Sequence, residues 1–270
     1  MADQHQAHPG APLFAMPDTR LRGGELVSVV TPMFNEAGGA VPFVREIASA
    51  LHGRDHEIIC VNDGSSDETE AALCSVMGEF PQLRVLRHDT NAGQSRAVRT
   101  GVLAARGETI VTLDGDGQNN PADIPLLLAA LNEENAPPHR MMAAGERQGR
   151  QDTAAKKIAS RWANGIRARL LKDGARDTGC GLKAFRRSAY LRLPYFDHCH
   201  RYLPALMRRE GFEVVFVPVS HRARAHGASK YTNLGRLSVA FRDMLGVIWL
   251  INRARSPNHV REVRRDPGDV

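Results

Sequence analysis

Short apolar runs alternate with amphipathic stretches along the first half of the chain. Apolar runs that stop at Gly, Pro, Asn or Asp predict buried strands, and apolar residues at helical spacing follow each run. Four strand–helix units in succession predict an α/β fold in which helices cover a mostly parallel sheet. The predicted strands are 25–32, 57–61, 83–86, 109–113 and 141–145, and a further strand is predicted at 214–219.

Polar loops follow the first four predicted strands. Glu36 follows the first strand, Asp63 the second, Asn91 the third, and Asp114 and Asp116 follow the fourth. Parallel sheets bind their ligands beyond the carboxyl ends of the strands. We therefore expect these side chains to share one edge of the sheet, where a site can form.

The Asp-Gly-Asp-Gly-Gln stretch at 114–118 offers three oxygen-bearing side chains at alternate positions. Alternate residues of an extended chain point to the same side, and the intervening glycines let the backbone turn sharply. Asp114, Asp116 and Gln118 would then suit a hard divalent cation such as Mg²⁺ or Mn²⁺. A polar turn without a function is the alternative, and this motif alone leaves both interpretations open.

The charges are unevenly divided along a chain whose formal net charge is +6. Residues 1–139 carry 9 Lys/Arg and 19 Asp/Glu, whereas residues 140–270 carry 27 and 11. An acidic half suits a metal site, and a basic half suits nucleic acid, phosphate or an anionic membrane surface. Aromatic residues do not interleave with the basic ones as in single-strand readers, so we expect no nucleic-acid partner. The four cysteines form no CxxC pair, which favours reduced intracellular thiols.

Several common nucleotide, metal and hydrolase motifs are missing from the chain. The loop after the first strand lacks GxGxxG, and neither a GxxxxGK[ST] phosphate loop nor a GxSxG elbow occurs. An EF-hand that began at Asp114 would need Gly at its sixth position and Glu at its twelfth, where the chain has Asn119 and Pro125. The interpretation that these exclusions leave is an acidic metal site that faces a nucleotide diphosphate.

Seven motifs occur in an order and spacing that resemble one enzyme family. They lie at 32–36, 61–69, 91–93, 114–118, 177–185, 200–206 and 224–231. Together they resemble the family 2 glycosyltransferases. Within that family, the chain is similar to the dolichol-phosphate mannosyltransferase-like and bacterial polyprenyl-phosphate glycosyltransferase branch.

The resemblance implies a GT-A (Rossmann-like) fold that binds a nucleotide-sugar, a divalent cation (Mg²⁺ or Mn²⁺) and a polyprenyl-phosphate acceptor, with inversion at the anomeric carbon. It places the metal at Asp114, Asp116 and Gln118, and it makes Asp116 and Asp177 catalytic. Asp177 matches a proposed general base, although it could equally orient the acceptor or a cation. The implied nucleotide-binding residues are Pro32, Phe34, Glu36, Asp63 and Asp114, and the implied phosphate-binding residues are Arg147, Lys156, Ser160, Arg224, Ser229 and Lys230.

Some choices stay open within this resemblance. Phe34 stands where the family usually has tyrosine, so the chain lacks the hydroxyl group that could form a hydrogen bond from that position. The donor is mannose on GDP, or glucose, a uronic acid or aminoarabinose on UDP. A related transferase with a saccharide hydroxyl acceptor, and a catalytically silent scaffold of the same fold, are the alternative functions. The basic segment from Arg147 to Arg169 argues against a neutral acceptor, and intact Asp114, Asp116 and Asp177 argue against a silent scaffold.

The chain divides into four predicted segments. Residues 1–24 are a flexible leader, 25–235 the transferase domain, 236–252 an apolar helix at the membrane interface, and 253–270 a basic flexible tail. An aromatic anchor followed by arginines is typical of helices that lie on anionic membranes. We therefore expect a peripheral protein on the cytoplasmic face of the membrane, where a separate membrane protein could flip or consume the product.

Overall fold

The computed structural model describes residues 25–148, 170–171, 173–175, 177, 179–222 and 233–254. They form one seven-stranded sheet with the strand order β3-β2-β1-β4-β6-β5-β7. The predicted α/β fold with a mostly parallel sheet is confirmed. The strands are β1 (Val27–Met33), β2 (His56–Asp63), β3 (Leu83–His88), β4 (Thr109–Thr112), β5 (Arg140–Arg147), β6 (Lys183–Arg186) and β7 (Glu213–Val219).

Helices pack against both faces of the sheet. Neighbouring strand residues alternate between two cores: Val30 and Ile59 belong to one, and Val29 and Ile58 to the other. This explains why β1, β2 and β4 form continuous apolar runs in the sequence, since these strands are buried on both sides. The helices are α1 (Ala37–Ala50), α2 (Thr69–Ser75), α3 (Gln94–Ala104), α4 (Ile124–Leu131), α5 (Arg187–Leu191), α6 (Leu203–Arg209) and α7 (Asn233–Arg253).

Strand β6 departs from the parallel pattern. It runs antiparallel to both of its neighbours, with Lys183 opposite Thr112 of β4 and Ala144 of β5. Because an antiparallel strand begins where its parallel neighbours end, the segment that leads into β6 lies at the carboxyl edge of the sheet. This strand therefore carries Asp177 and Gly179 to the edge that holds the predicted site.

Helix α7 packs one side against the domain. Val247 is fully buried, Tyr202 Oη donates to the carbonyl oxygen of Ala240 at 3.2 Å, and Arg209 Nε donates to that of Leu250 at 3.0 Å. His198 Nδ1 also lies 3.1 Å from a carboxylate oxygen of Asp243. Among the described side chains of this helix, four large apolar ones are exposed: Val239, Phe241, Leu245 and Trp249.

No helix in the described part of the chain combines the length and the apolar character that a membrane crossing requires. The predicted leader and the tail beyond residue 254 lie outside the described residues, as do residues 149–169 of the basic segment.

Candidate functional site

The Asp114–Gln118 loop folds back on itself directly after β4. The backbone N–H of Asp114 donates to Asn119 Oδ1 at 3.1 Å, and that of Gln118 donates to Asp116 Oδ1 at 3.0 Å. A Cβ atom on Gly115 would lie 2.7 Å from the carbonyl oxygen of Pro32, so only glycine lets the loop pass this close to the end of β1. The two carboxylates are thus held at the carboxyl edge of the sheet.

Asp114 is under electrostatic strain in this loop. Burial and the neighbouring charge of Asp116 raise the pKa of Asp114 from 3.8 to about 6, although the cations Lys183 and Arg147 partly oppose the shift. A Cβ atom on Gly181 would lie 2.3 Å from the carboxyl carbon of Asp114, so the carboxylate lies in space that only a glycine at this position leaves open. A divalent cation would stabilise the Asp114 carboxylate against its burial and against the neighbouring charge of Asp116.

The donor set suits a cation that shares its coordination with a substrate. No group of three or more His, Cys, Asp and Glu side chains able to hold a metal ion occurs among the residues the structure describes. Mg²⁺ is commonly held by one or two carboxylates, with phosphate oxygens and waters as its other ligands. Asp114 and Asp116 fit that arrangement.

The loops after β1 and β2 are joined into one unit. Asn35, with a left-handed φ of 56°, accepts a hydrogen bond from the N–H of Ser66 at 2.7 Å, and its own N–H donates to Ser65 Oγ at 2.9 Å. The N–H of Glu36 donates to Thr69 Oγ1 at 2.9 Å. These hydrogen bonds therefore fix the backbone of the first loop, which carries predicted nucleotide-binding residues. Phe34, in this loop, is 37% exposed.

Asp63 faces the protein interior. β2 extends to this residue, rather than stopping at residue 61 as predicted, and Asp63 is only 3% exposed. Its carboxylate lies 2.6 Å from His88 Nδ1 and accepts hydrogen bonds from the side chain of Asn91 and the N–H groups of Ala92 and Gly93 at 2.9–3.0 Å. Asp63 thus fixes the loop after β3, and contact with a nucleoside would require it to exchange one of these partners.

Arg147 and Asp177 form a bidentate ion pair at the same edge. Arg147 Nε donates to Asp177 Oδ2 at 2.6 Å and Nη2 donates to Oδ1 at 2.7 Å, and both side chains are largely buried. Burial alone would raise the pKa of Asp177, but the guanidinium holds this pKa below its usual value. The prediction that both residues belong to the site remains, and the structure adds that they contact each other directly.

Lys183 is a site neighbour that the sequence patterns did not single out. Its ammonium is buried and donates to the carbonyl oxygen of Cys180, and burial lowers its pKa. A lysine between Leu182 and Ala184, inside an apolar run, was the available signal. Its bond orders the turn that ends at Gly181, beside Asp114.

Five predicted site residues cannot be placed. Lys156, Ser160, Arg224, Ser229 and Lys230 lie outside the described residues. Just before the gap at residues 223–232, the chain contacts the Asp-Gly-Asp loop, where the N–H of Arg222 donates to the carbonyl oxygen of Gln118 at 3.1 Å.

Comparisons with known proteins show the family to which the chain belongs. Residues 28–193 match the family described as glycosyl transferase family 2. The chain is 33% identical over 239 residues to the dodecaprenyl-phosphate galacturonate synthase of Rhizobium johnstonii, which covers 86% of this chain and 69% of the relative. It is 34% identical over 230 residues to the undecaprenyl-phosphate 4-deoxy-4-formamido-L-arabinose transferase of an Enterobacter species, with coverages of 83% and 68%.

Among solved structures, the chain resembles glucosyl-3-phosphoglycerate synthase from Mycobacterium tuberculosis in complex with Mn²⁺, uridine diphosphate and glucosyl-3-phosphoglycerate. The TM-score is 0.63 at 18% identity, covering 86% of this chain and 80% of that one. At this identity the likeness shows the fold, which is that of the GT-A glycosyltransferases.

Proposed function

Because the chain belongs to glycosyl transferase family 2, we propose that it transfers a single sugar from a nucleotide diphosphate to a polyprenyl phosphate. The chain is a glycosyltransferase with a GT-A fold. Relatives named for dodecaprenyl-phosphate and undecaprenyl-phosphate products support the lipid acceptor. The observation that carries the proposal is the position of four side chains at the carboxyl edge of the sheet. The carboxylates of Asp114 and Asp116 lie there near the largely buried Arg147. The guanidinium of Arg147 is held by the carboxylate of Asp177.

The carboxylates of Asp114 and Asp116 would bind the donor through a divalent cation. When bound, such a cation would neutralise the diphosphate and stabilise the negative charge that develops on the departing nucleoside diphosphate as its bond to the sugar breaks. Uridine diphosphate with Mn²⁺ in the structural neighbour supports this part of the proposal. The loops after β1 and β2, which hydrogen bonds join to each other, would bind the nucleoside. The exposed ring of Phe34 would be available to contact it.

A phosphate acceptor needs little help from a base. The second pKa of a phosphate monoester is about 6, so near neutral pH the oxygen that attacks the anomeric carbon is already ionised. No proton has to move as the new bond forms and the nucleoside diphosphate departs, and a single displacement of this kind inverts the anomeric centre. The lowered pKa of Asp177 fits this scheme, because a carboxylate that resists protonation is a poor general base.

The ion pair indicates a different role for Asp177. Its carboxylate fixes the guanidinium plane of Arg147 at two points, and guanidinium groups bind phosphate with paired hydrogen bonds. We assign Arg147 to the acceptor phosphate and Asp177 to the orientation of Arg147. A saccharide hydroxyl acceptor would instead need a base that takes up its proton, so the geometry favours the lipid phosphate.

Helix α7 offers a surface for the membrane that holds such a lipid. Its exposed Phe241, Leu245 and Trp249 recur every four residues and so form one stripe on the helix. The arginines of the 253–270 sequence would add attraction to anionic lipid. We propose that the protein is peripheral, with α7 at the interface on the cytoplasmic face.

Release of nucleoside diphosphate from purified protein tests the proposal. A donor panel of UDP-linked galacturonic acid, glucose and aminoarabinose, together with GDP-mannose, is offered with and without undecaprenyl phosphate and Mg²⁺ or Mn²⁺. We expect release with one donor that requires both lipid and metal. Asp116→Asn should abolish release, and Asp55→Asn, an exposed acid at the opposite edge of the sheet, should not.

Two results would contradict the proposal. Turnover with a soluble glycan but none with the lipid would assign the enzyme a hydroxyl acceptor. Absence of release under every condition, by a folded protein, would make the chain a silent scaffold.

A further inference from the structure

Gln94 contacts the metal-binding loop although it belongs to none of the predicted site residues. It is the first residue of α3, and its side-chain Nε2 donates a hydrogen bond to Asp114 Oδ1 at 2.6 Å. Among the described side chains, that of Gln94 is the one that donates a hydrogen bond to the Asp114 carboxylate, and it does so at Oδ1. Gln94 thus contacts Oδ1 of the proposed metal ligand Asp114 and does not contact Oδ2.

The backbone around Gln94 is fixed on both sides. On the preceding side, the N–H groups of Ala92 and Gly93 donate to the buried carboxylate of Asp63 at 2.9 Å. On the following side, Ser95 is 1% exposed, and its Oγ lies 2.7 Å from Nδ1 of His200. A side chain attached to so rigid a backbone can hold its partner in one orientation.

Asp114 needs such a restraint. Its carboxylate packs against Gly181, where an added Cβ atom would lie 2.3 Å from the carboxyl carbon, and the charge of Asp116 repels it. An ionised carboxylate in this position gains from a donor that satisfies one oxygen and fixes the plane of the group. Partners of this kind, hydrogen-bonded to a metal ligand, typically change metal affinity or activity about 10–100-fold when mutated.

We propose that Gln94 is a positioning residue, whose amide fixes the Asp114 carboxylate so that Oδ2 can bind the cation that carries the donor diphosphate. The inference rests on the proposed function, because it assumes that Asp114 serves a metal–nucleotide complex. It also gives a role to the 200–206 segment, which the catalytic scheme did not use: His200 fixes the start of α3 through Ser95.

The test measures Mn²⁺ binding by electron paramagnetic resonance, without acceptor or turnover, first with Mn²⁺ alone and then with UDP or GDP. Gln94→Met keeps the length of the side chain and removes the donor. The matched control is Gln82→Met, since the Gln82 amide lies 3.5 Å from His56 Nε2 at the amino edge of the sheet. Thermal melting confirms that both variants fold, which we expect for Gln94 because its side chain is exposed.

We expect Gln94→Met to weaken Mn²⁺ binding in the nucleotide complex about tenfold or more, and Gln82→Met to leave it unchanged. Wild-type affinity in Gln94→Met would overturn the inference while leaving the proposed function intact. If the wild-type protein binds no Mn²⁺ with either nucleotide, the metal-dependent function and the inference both fail. Weakened nucleotide binding with unchanged Mn²⁺ affinity would also overturn it, by making Gln94 a nucleotide contact.

Discussion

Asp177 accepts three hydrogen bonds from Arg147: two from the guanidinium and one, at 3.3 Å, from the backbone N–H. The N–H of Gly179 adds a fourth at 3.1 Å. Such a carboxylate is committed to holding an arginine and is poorly placed to accept a proton from a substrate. The family resemblance implies that Asp177 is a general base. Its hydrogen bonds instead favour a role in orienting Arg147, the proposed phosphate-binding group.

Asp177→Asn separates these two roles. We expect the apparent KM for polyprenyl phosphate to rise about tenfold, because the variant weakens a charge-assisted bond, with a smaller change in kcat. The lowered pKa of Asp177 keeps it ionised between about pH 6 and 9, so the pH–rate profile should keep its shape in the variant. A fall in kcat of about 100-fold or more with loss of the acidic limb would instead indicate a general base.

Asp114→Asn should stabilise the free protein while it inactivates the enzyme. The folded state raises the pKa of Asp114 to about 6, so ionising this group opposes folding. This penalty is absent below about pH 4, appears as the pH rises toward 6, and is complete at pH 7. We expect a gain of about 2 kcal/mol in the unfolding free energy at pH 7.5, and little gain at pH 4, by urea denaturation.

The same carboxylate makes Gly181 indispensable. A Cβ atom there would lie 2.3–2.4 Å from the carboxylate atoms of Asp114, so Gly181→Ala must displace the Asp114 carboxylate or the backbone at residue 181. Displacements of about 1 Å can cost 100-fold in rate, and we expect a loss of that order in kcat/KM. The control is Gly78→Ala, where the new methyl group meets no atom within 4 Å. Equal activities of the two variants would contradict the crowding.

The exposed stripe of α7 should bind the membrane. We expect replacement of Phe241, Leu245 and Trp249 by serine to weaken binding to anionic phospholipid vesicles by about tenfold or more, since each loses burial in the lipid interface. Flotation or sedimentation with vesicles measures this. Nucleotide binding should persist, because the opposite side of α7, with the buried Val247, is untouched.

A triple variant at exposed apolar residues away from α7 serves as the control. Leu103 of α3, Leu126 of α4 and Met77, in the turn after α2, are 40–52% exposed. Their replacement by serine should leave vesicle binding unchanged. Equal weakening in both triple variants would show that the stripe has no special role.

Much of the fold and part of the site could be predicted from local sequence. The apolar runs that became β1, β2 and β4 are buried on both faces, and apolar composition alone predicts such burial, whereas the edge strand β3 is only partly buried. The chemistry of the Asp114–Gln118 loop is equally local, because it depends on alternate positions and on glycines between them. The structure places this loop at the carboxyl edge, as predicted for a parallel sheet.

The partners of those residues were decided by the tertiary structure. Arg147 meets Asp177, 30 positions away, because β6 runs antiparallel and brings the segment before it to the carboxyl edge. The inward turn of Asp63 depends on the loop after β3, and the anchoring of Gln94 depends on a contact between residues 105 positions apart, Ser95 and His200. Apolar periodicity specifies which face of an element is buried. It does not specify which polar groups meet across the fold, since that choice depends on strand order and on side-chain orientation in the packed state.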